Sequence, residues 1–279
     1  MRSILITLDK TPSCATAQAL AIGLARRNGA MLKGVIATDI SDLEAMEPAP
    51  IGGMERAYER MVLRRRRADE RRQMAAQLPD AFENACAAEG QNCSVTRLGS
   101  AVEVGLLRLI ETVDLVVTGR DAQFHFEASD GAAPLLDVII ARGARPVLVT
   151  GEGSIDGGPV LVAYDGSASA ARSLQLAVLL GMFAGRAVQV VSIRRHAASA
   201  RKTAMRAAAF LESHGIGAAI EPRELSAEPA ELLMKHADKV RASLLIMGAF
   251  GNRGLREMLF GSCTRRMYDA CSTPLFISR

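Results

Sequence analysis

The chain states one structural unit twice. Ser3-Ile-Leu-Ile-Thr-Leu-Asp9 is matched by Pro159-Val-Leu-Val-Ala-Tyr-Asp165. Each is an apolar run that ends on Asp and leads through a short polar segment into an Ala/Leu-rich helical stretch. Asp114-Leu-Val-Val-Thr-Gly119 is matched by Ser243-Leu-Leu-Ile-Met-Gly248, and Arg145-Pro146-Val-Leu-Val149 by Thr273-Pro274-Leu-Phe-Ile277. Short runs that are apolar throughout fit strands covered on both faces. Their alternation with helices implies a parallel sheet. In the second unit strands are expected at 159–165, 187–193, 218–224, 243–248 and 274–278. The first unit carries a longer connection from Asp39 to Gly90, which opens with Glu47-Pro-Ala-Pro-Ile-Gly-Gly53 and continues as a long charged helix. Gly151 to Gly158 has the composition of a linker. The fold class expected is therefore α/β, with two doubly wound five-stranded parallel-sheet domains in tandem, 1–150 and 158–279.

The chemistry concentrates between Gly248 and Thr264. The order is Gly-Ala-Phe-Gly251, nine further residues, then Gly261-Ser262-Cys263-Thr264. An apolar strand precedes this stretch and a helix start follows it. A glycine-punctuated loop between strand and helix can bring several backbone N–H groups around an anion, and the helix N-terminus adds a favourable dipole. No Lys follows the last glycine, so this is not a Walker loop. The spacing is not that of the dinucleotide fingerprint either. A plain strand-to-helix loop whose Ser262 caps the helix is the competing reading.

Gly248-x2-Gly251-x9-Gly261-Ser262 resembles the nucleotide loop of the ATP-binding universal stress proteins, G-x2-G-x9-G-(S/T), at every fixed position. Cys271-Ser-Thr-Pro274-Leu-Phe-Ile resembles that family's last strand with its entering proline. The likeness extends over both halves, but the motif occurs only in the second. The resemblance implies a strand order of 3-2-1-4-5, which sets strand one beside strand four. Ligands of open α/β sheets bind beyond the carboxyl ends of the strands at such a switch point. It further implies that Asp165 reads the adenine amino group, that Ile193 supplies backbone contacts to the base, and that Met247 lines its pocket. Gly248 and Gly251 would allow close approach to ribose and phosphates. Gly261, Ser262, Cys263 and Thr264 would offer donors to the β- and γ-phosphates. Cys263 replaces the usual Val, a change that leaves the backbone donor in place. Arg253, inside the loop, could meet a phosphate or stand solvated. Asp165, ahead of Gly-Ser, also has a purely local reading as a helix cap.

The first unit lacks this constellation. Ala122 stands where the second glycine belongs, and Ala133-Pro134 where Gly-Ser belongs. Proline has no N–H to offer, and Asp121, Glu127 and Asp130 would repel a phosphate. Gly131 is out of register. The first domain is expected to keep the fold without the nucleotide loop, with Asp9 capping its helix.

Composition bounds the remaining classes. The 279 residues are 49% hydrophobic and 23% charged, with a net charge of +4, which fits a globular protein with a sizeable core and does not imply nucleic acid. No apolar stretch reaches membrane-spanning length, and Met1-Arg2-Ser3-Ile4 runs into a strand rather than a signal peptide. Cys14, Cys86, Cys93, Cys263 and Cys271 form no C-x-x-C pair, which points to reduced thiols and a cytoplasmic setting. Cys14 and Cys263 sit near helix starts, where a dipole can lower a thiol pKa; a quiet buried thiol is the alternative. Arg64–Arg67 and Arg71-Arg72 lie among Glu55, Glu59, Asp69 and Glu70 at helical spacing, as on a solvated helix. His125, His196, His214 and His236 show no metal spacing and are read as surface or loop residues.

Three functions remain. The first is a stress-response protein whose second domain binds ATP, with Mg2+ or Mn2+ bridging phosphates, in a regulatory role and without dedicated catalysis. The second is an interaction scaffold that binds no nucleotide. The third is a slow ATPase or a protein that phosphorylates itself at Ser262 or Thr264. The resemblance also implies an intramolecular pseudo-dimer, Val147–Val149 against Leu275–Ile277, compatible with a further homodimer. The adenine nucleotide is the expected partner, with neither membrane nor nucleic acid, and the regulatory protein partner is left unnamed.

Overall fold

The structure is a computed structural model that describes residues 1–37, 54–99, 101–122, 135–151, 157–249 and 262–279. The connection 38–53 and the segments 123–134, 152–156 and 250–261 lie outside the described residues.

The first half contains β1 (Ser3–Thr7), α1 (Pro12–Asn28), β2 (Met31–Ala37), α2 (Met54–Ala88), β3 (Cys93–Leu98), α3 (Val102–Glu111), β4 (Leu115–Gly119), α4 (Leu135–Arg142) and β5 (Val147–Thr150). The second contains β6 (Val160–Ala163), α5 (Ala168–Leu179), β7 (Val188–Arg194), α6 (Ala197–Ser213), β8 (Ala218–Glu224), α7 (Pro229–Val240), β9 (Leu244–Gly248), α8 (Ser262–Ala270) and β10 (Leu275–Ser278). Local chemistry sets several boundaries. Pro12 and Pro229 open α1 and α7 where no N–H is needed. Gly29 closes α1 in the left-handed conformation. The Ser167 hydroxyl caps α5 by accepting the Ala170 N–H at 3.2 Å.

All ten strands join one sheet in the order β3-β2-β1-β4-β5-β10-β9-β6-β7-β8. Each half thus has the order 3-2-1-4-5, and the two halves meet at their fifth strands. Every pairing within a half is parallel. The seam is antiparallel, with Val147 opposite Ile277, Leu148 opposite Phe276 and Val149 opposite Leu275. All six of these side chains are buried. Two edges that would otherwise template association are thereby closed.

Side chains alternate across the sheet, so each face has its own core. Ile4, Ile6, Leu148, Val160, Val162 and Phe276 point to the α1, α5 and α6 face. Leu5, Val149, Leu161, Leu275 and Ile277 point to the α3, α4, α7 and α8 face. Both cores run through both halves. The long helix α2 packs through its C-terminal end, where Leu78, Phe82 and Cys86 are buried. Higher up, Tyr58, Met61, Val62 and Leu63 are exposed. Arg66 pairs with Glu70 one turn on, at 3.1 Å, as expected of a solvated helix.

Contacts between the halves extend beyond the seam. The Tyr268 hydroxyl of α8 donates to the Asp137 carboxylate of α4, and Arg265 approaches the same carboxylate at 3.7 Å. The Arg120 guanidinium reaches the Cys271 carbonyl at the end of α8. Burial first, and the bond to Asp137 second, push the Tyr268 phenol up.

Two sequence readings change. His236, expected at the surface, is buried on α7. Its ring nitrogens lie 3.3 Å from an Arg223 nitrogen and 3.2 Å from the Gln189 amide oxygen. Burial, and then the Arg223 charge, hold its pKa below the ordinary value. The N-cap position of α1 is Thr11 rather than Asp9. The Asp9 carboxylate accepts the N–H of Thr11 at 2.9 Å and the Thr11 hydroxyl at 2.5 Å, while the N-cap Thr11 makes no side-chain capping bond.

Gly248 and its counterpart Gly119 each leave room for a helix start. A Cβ on Gly248 would stand 2.4 Å from the Ala170 backbone nitrogen and 2.6 Å from the Ser169 carbonyl carbon. A Cβ on Gly119 would stand 3.1 Å from the Ser13 Cβ. Gly248→Ala is expected to lower stability by about 1–3 kcal/mol, the usual cost of overpacking; an unchanged urea midpoint would contradict this packing role. For His236 the sign follows from its depressed pKa. The folded ring resists a proton that the unfolded chain accepts near its ordinary value. Stability is therefore complete above that value and declines as the pH falls below it. The urea midpoint of the wild type is expected to drop between about pH 7.5 and pH 5.5, and His236→Gln to flatten that slope. An identical slope in the variant would assign the effect elsewhere.

Candidate functional site

The switch point of the second half lies between β6 and β9, which pair directly, Ala163 with Met247. Helix α5 leaves β6 on one side of the sheet, and the segment after β9 leads to α8 on the other. A crevice at the carboxyl ends of these strands is a consequence of that topology.

Asp165 stands two residues beyond the end of β6. One of its carboxylate oxygens accepts the Ser167 N–H at 2.9 Å, and its carbonyl accepts from the Arg194 guanidinium. Asp165 thus turns the chain into α5, and the cap itself is Ser167. Ile193, near the end of β7, and Ala163, at the end of β6, pack against the α7/α8 core. Met247 is buried in that core, and Cys263, in the first turn of α8, lies partly buried against it. Thr264 is 4% exposed. The Cys263 thiol is raised above its ordinary value by burial first and by the Asp165 charge second. The carboxylate at the end of β6 therefore acts electrostatically on the first turn of α8. The pairing of β6 with β9 sets the Asp165 turn beside the end of β9.

Of the expected residues, Ile193, Met247 and Cys263 belong to one apolar core, and Asp165 stands just beyond β6 at the turn into α5. Gly248 ends β9, where a Cβ would also collide with the Ser169–Ala170 backbone. Ser262 is the first residue of α8. Gly251, Arg253 and Gly261 lie outside the described residues. Of the two readings of these thiols the quiet, buried one is favoured: Cys14 and Cys263 are both raised, burial being the main cause in each. All five cysteines are free thiols.

The position of α8 is fixed from three sides. Arg266 pairs with Glu228 and Glu231 at the start of α7. Asp137 holds Tyr268 and Arg265 from the first half, and Arg120 holds the far end. Sequence reading missed Asp137 and Arg120. Both belong to the first half, and no local spacing links them to residues more than a hundred positions away.

The first half builds the same corner differently. Ser13 occupies the place of Ser169, and its hydroxyl donates to the Asp121 carboxylate just beyond β4. An acid thus stands at the mouth of the first crevice. Ala122 follows it, while Glu127, Asp130, Gly131, Ala133 and Pro134 lie outside the described residues.

Among the described residues no group of three His, Cys, Asp or Glu could hold a metal ion. No helix among them is long and apolar enough to cross a membrane.

Residues 158–279 match the Universal stress protein family. The whole chain is 23% identical to Universal stress protein Slr1230 of Synechocystis sp. over 291 residues, covering all of both proteins. Its fold is shared with a universal stress protein from Archaeoglobus fulgidus DSM 4304, at a TM-score of 0.65 and 15% identity over 99% of this chain and 96% of that one. A functionally unknown protein from Pseudomonas aeruginosa PAO1 shares it at a TM-score of 0.59 and 16% identity, over 100% and 92% of the two chains. Residues 158–279 thus match the universal stress protein family, and the whole chain resembles its members in sequence and in fold.

Proposed function

We propose that the crevice of the second half binds an adenine nucleotide, with ATP as the preferred ligand, and that the protein serves a regulatory role in a stress response rather than a dedicated catalytic one. The observation that carries this reading is the direct pairing of β6 with β9, which sets the Asp165 turn beside the strand end that leads to α8. A carboxylate can accept the amino group of a purine, Ile193 and Met247 offer an apolar wall for the ring, and a helix N-terminus favours phosphate. These residue types fit the ligand. The glycines of the G-x2-G-x9-G-S pattern would add backbone donors. A divalent cation, Mg2+ or Mn2+, would be held through the phosphate oxygens. The free thiols fit a cytoplasmic setting.

In the first half the acid at the crevice mouth, Asp121, disfavours phosphate. We therefore assign one nucleotide per chain, in the unit 158–279, with the unit 1–150 as its structural partner.

Isothermal titration with ATP and magnesium tests this directly. One site per chain is expected. Asp165→Ala is expected to weaken binding about tenfold or more, as for loss of a bond to a charged group. Gly261→Asp is expected to abolish it by placing a negative charge against the phosphates. No heat at millimolar ATP, in a protein whose fold is intact, would leave the interaction scaffold as the function. Hydrolysis lost together with binding in Gly261→Asp would favour the slow ATPase, whereas equal hydrolysis by wild type and variant would exclude it.

A further inference from the structure

The Asp165 turn has a second side. Ile193 points into the α7/α8 core, so its neighbour Arg194 points to the opposite face of the sheet, where α6 packs. Gly166 follows Asp165 with a φ of +74°, a conformation that favours glycine. A Cβ there would stand 2.8 Å from an Arg206 guanidinium nitrogen, 3.6 Å from one of Arg194 and 3.6 Å from the Thr203 methyl. Two guanidinium groups, one from β7 and one from α6, thus converge on a single point.

Arg194 donates to the Asp165 carbonyl, and its Nε is buried with no hydrogen-bond partner. Arg206 is exposed. No ion pair joins either one to an acid among the described residues. Two like charges at this separation repel each other, and an anion bridging them reverses the sign of that interaction. Guanidinium groups present planar, forked donors that match the oxygens of a phosphate.

We propose that Arg194 and Arg206 form a binding site for the phosphate group of a small molecule, on the α5/α6 side of the Asp165 turn and separate from the nucleotide crevice. The two sites back onto one turn: the Asp165 carbonyl is held by Arg194, and its carboxylate acts on the opposite side, toward Cys263. An anion bound at the arginines would therefore pull on the segment that carries the purine-reading carboxylate. This assignment does not depend on nucleotide binding.

The test is a titration of the 15N-labelled full chain with inorganic phosphate, against sodium chloride at matched ionic strength. The amide resonances of Gly166 and Thr203 are expected to move saturably with phosphate and to stay still with chloride. Arg206→Gln, at an exposed position that leaves the fold intact, is expected to weaken the apparent affinity about tenfold, as for loss of one charge-assisted donor. Equal responses to phosphate and chloride, or an unaltered affinity in Arg206→Gln, would overturn the site. Repeating the titration with ATP and magnesium present separates it from the nucleotide crevice. A phosphate response that persists supports two sites, and one that ATP abolishes overturns the separate site. A chain that ignored ATP would still show the phosphate response, so the two readings fail independently.

Discussion

The antiparallel pairing of β5 with β10 is the constraint on which the rest depends. Each half ends its parallel sheet on an apolar strand whose outer edge carries unpaired backbone donors and acceptors. Joining the two edges satisfies both and makes one ten-stranded sheet. Two cores follow, one per face, each drawing on both halves. The seam also brings α4 against α8, so that Asp137 of one half restrains Tyr268 and Arg265 of the other. The helix that opens at the proposed nucleotide site is therefore positioned in part by residues of the other half.

The repeat gives two equivalent corners with different chemistry. In both, a small residue in the first turn of a helix meets a glycine at the end of the fourth strand, Ser13 with Gly119 and Ser169 with Gly248. In both, an Asp beyond the first strand accepts the N–H two residues on. Past that point they diverge. The first corner is closed by its own carboxylate, Asp121 on Ser13. The second is flanked by an apolar wall, the start of α8 and two arginines. The proposed division of roles, one half as support and the other as ligand site, rests on these unequal corners.

Strand positions were legible because buried parallel strands are apolar throughout and their runs are bounded by Gly, Pro and Asp. The run 218–224 coincides with β8, and 243–248 differs from β9 by one residue. The long helix after the first connection was legible from its charge spacing. The role of Gly248 was not, since a missing Cβ serves a ligand and a packed helix equally well, and only the Ser169–Ala170 backbone distinguishes them. The burial of His236 was hidden too, because its partners Gln189 and Arg223 arrive from two other strands. The convergence of Arg194 with Arg206 depends on the crossing of β7 and α6 above a glycine turn, and no motif encodes it. Of the candidate site, Asp165, Ile193, Met247 and Cys263 could be nominated from pattern and resemblance. The effect of the Asp165 charge on the Cys263 thiol required the three-dimensional arrangement.

The central claim is that one purine-recognising crevice exists and that it lies in the second half, at the ends of β6, β7 and β9. Photolabelling of the full chain with 8-azido-ATP, followed by peptide mapping, addresses that claim most directly. The account predicts a single adduct on peptides that carry Ile193 or Met247, suppressed by excess ATP. Labelling confined to peptides from residues 1–150, or labelling that excess ATP does not suppress, would contradict it.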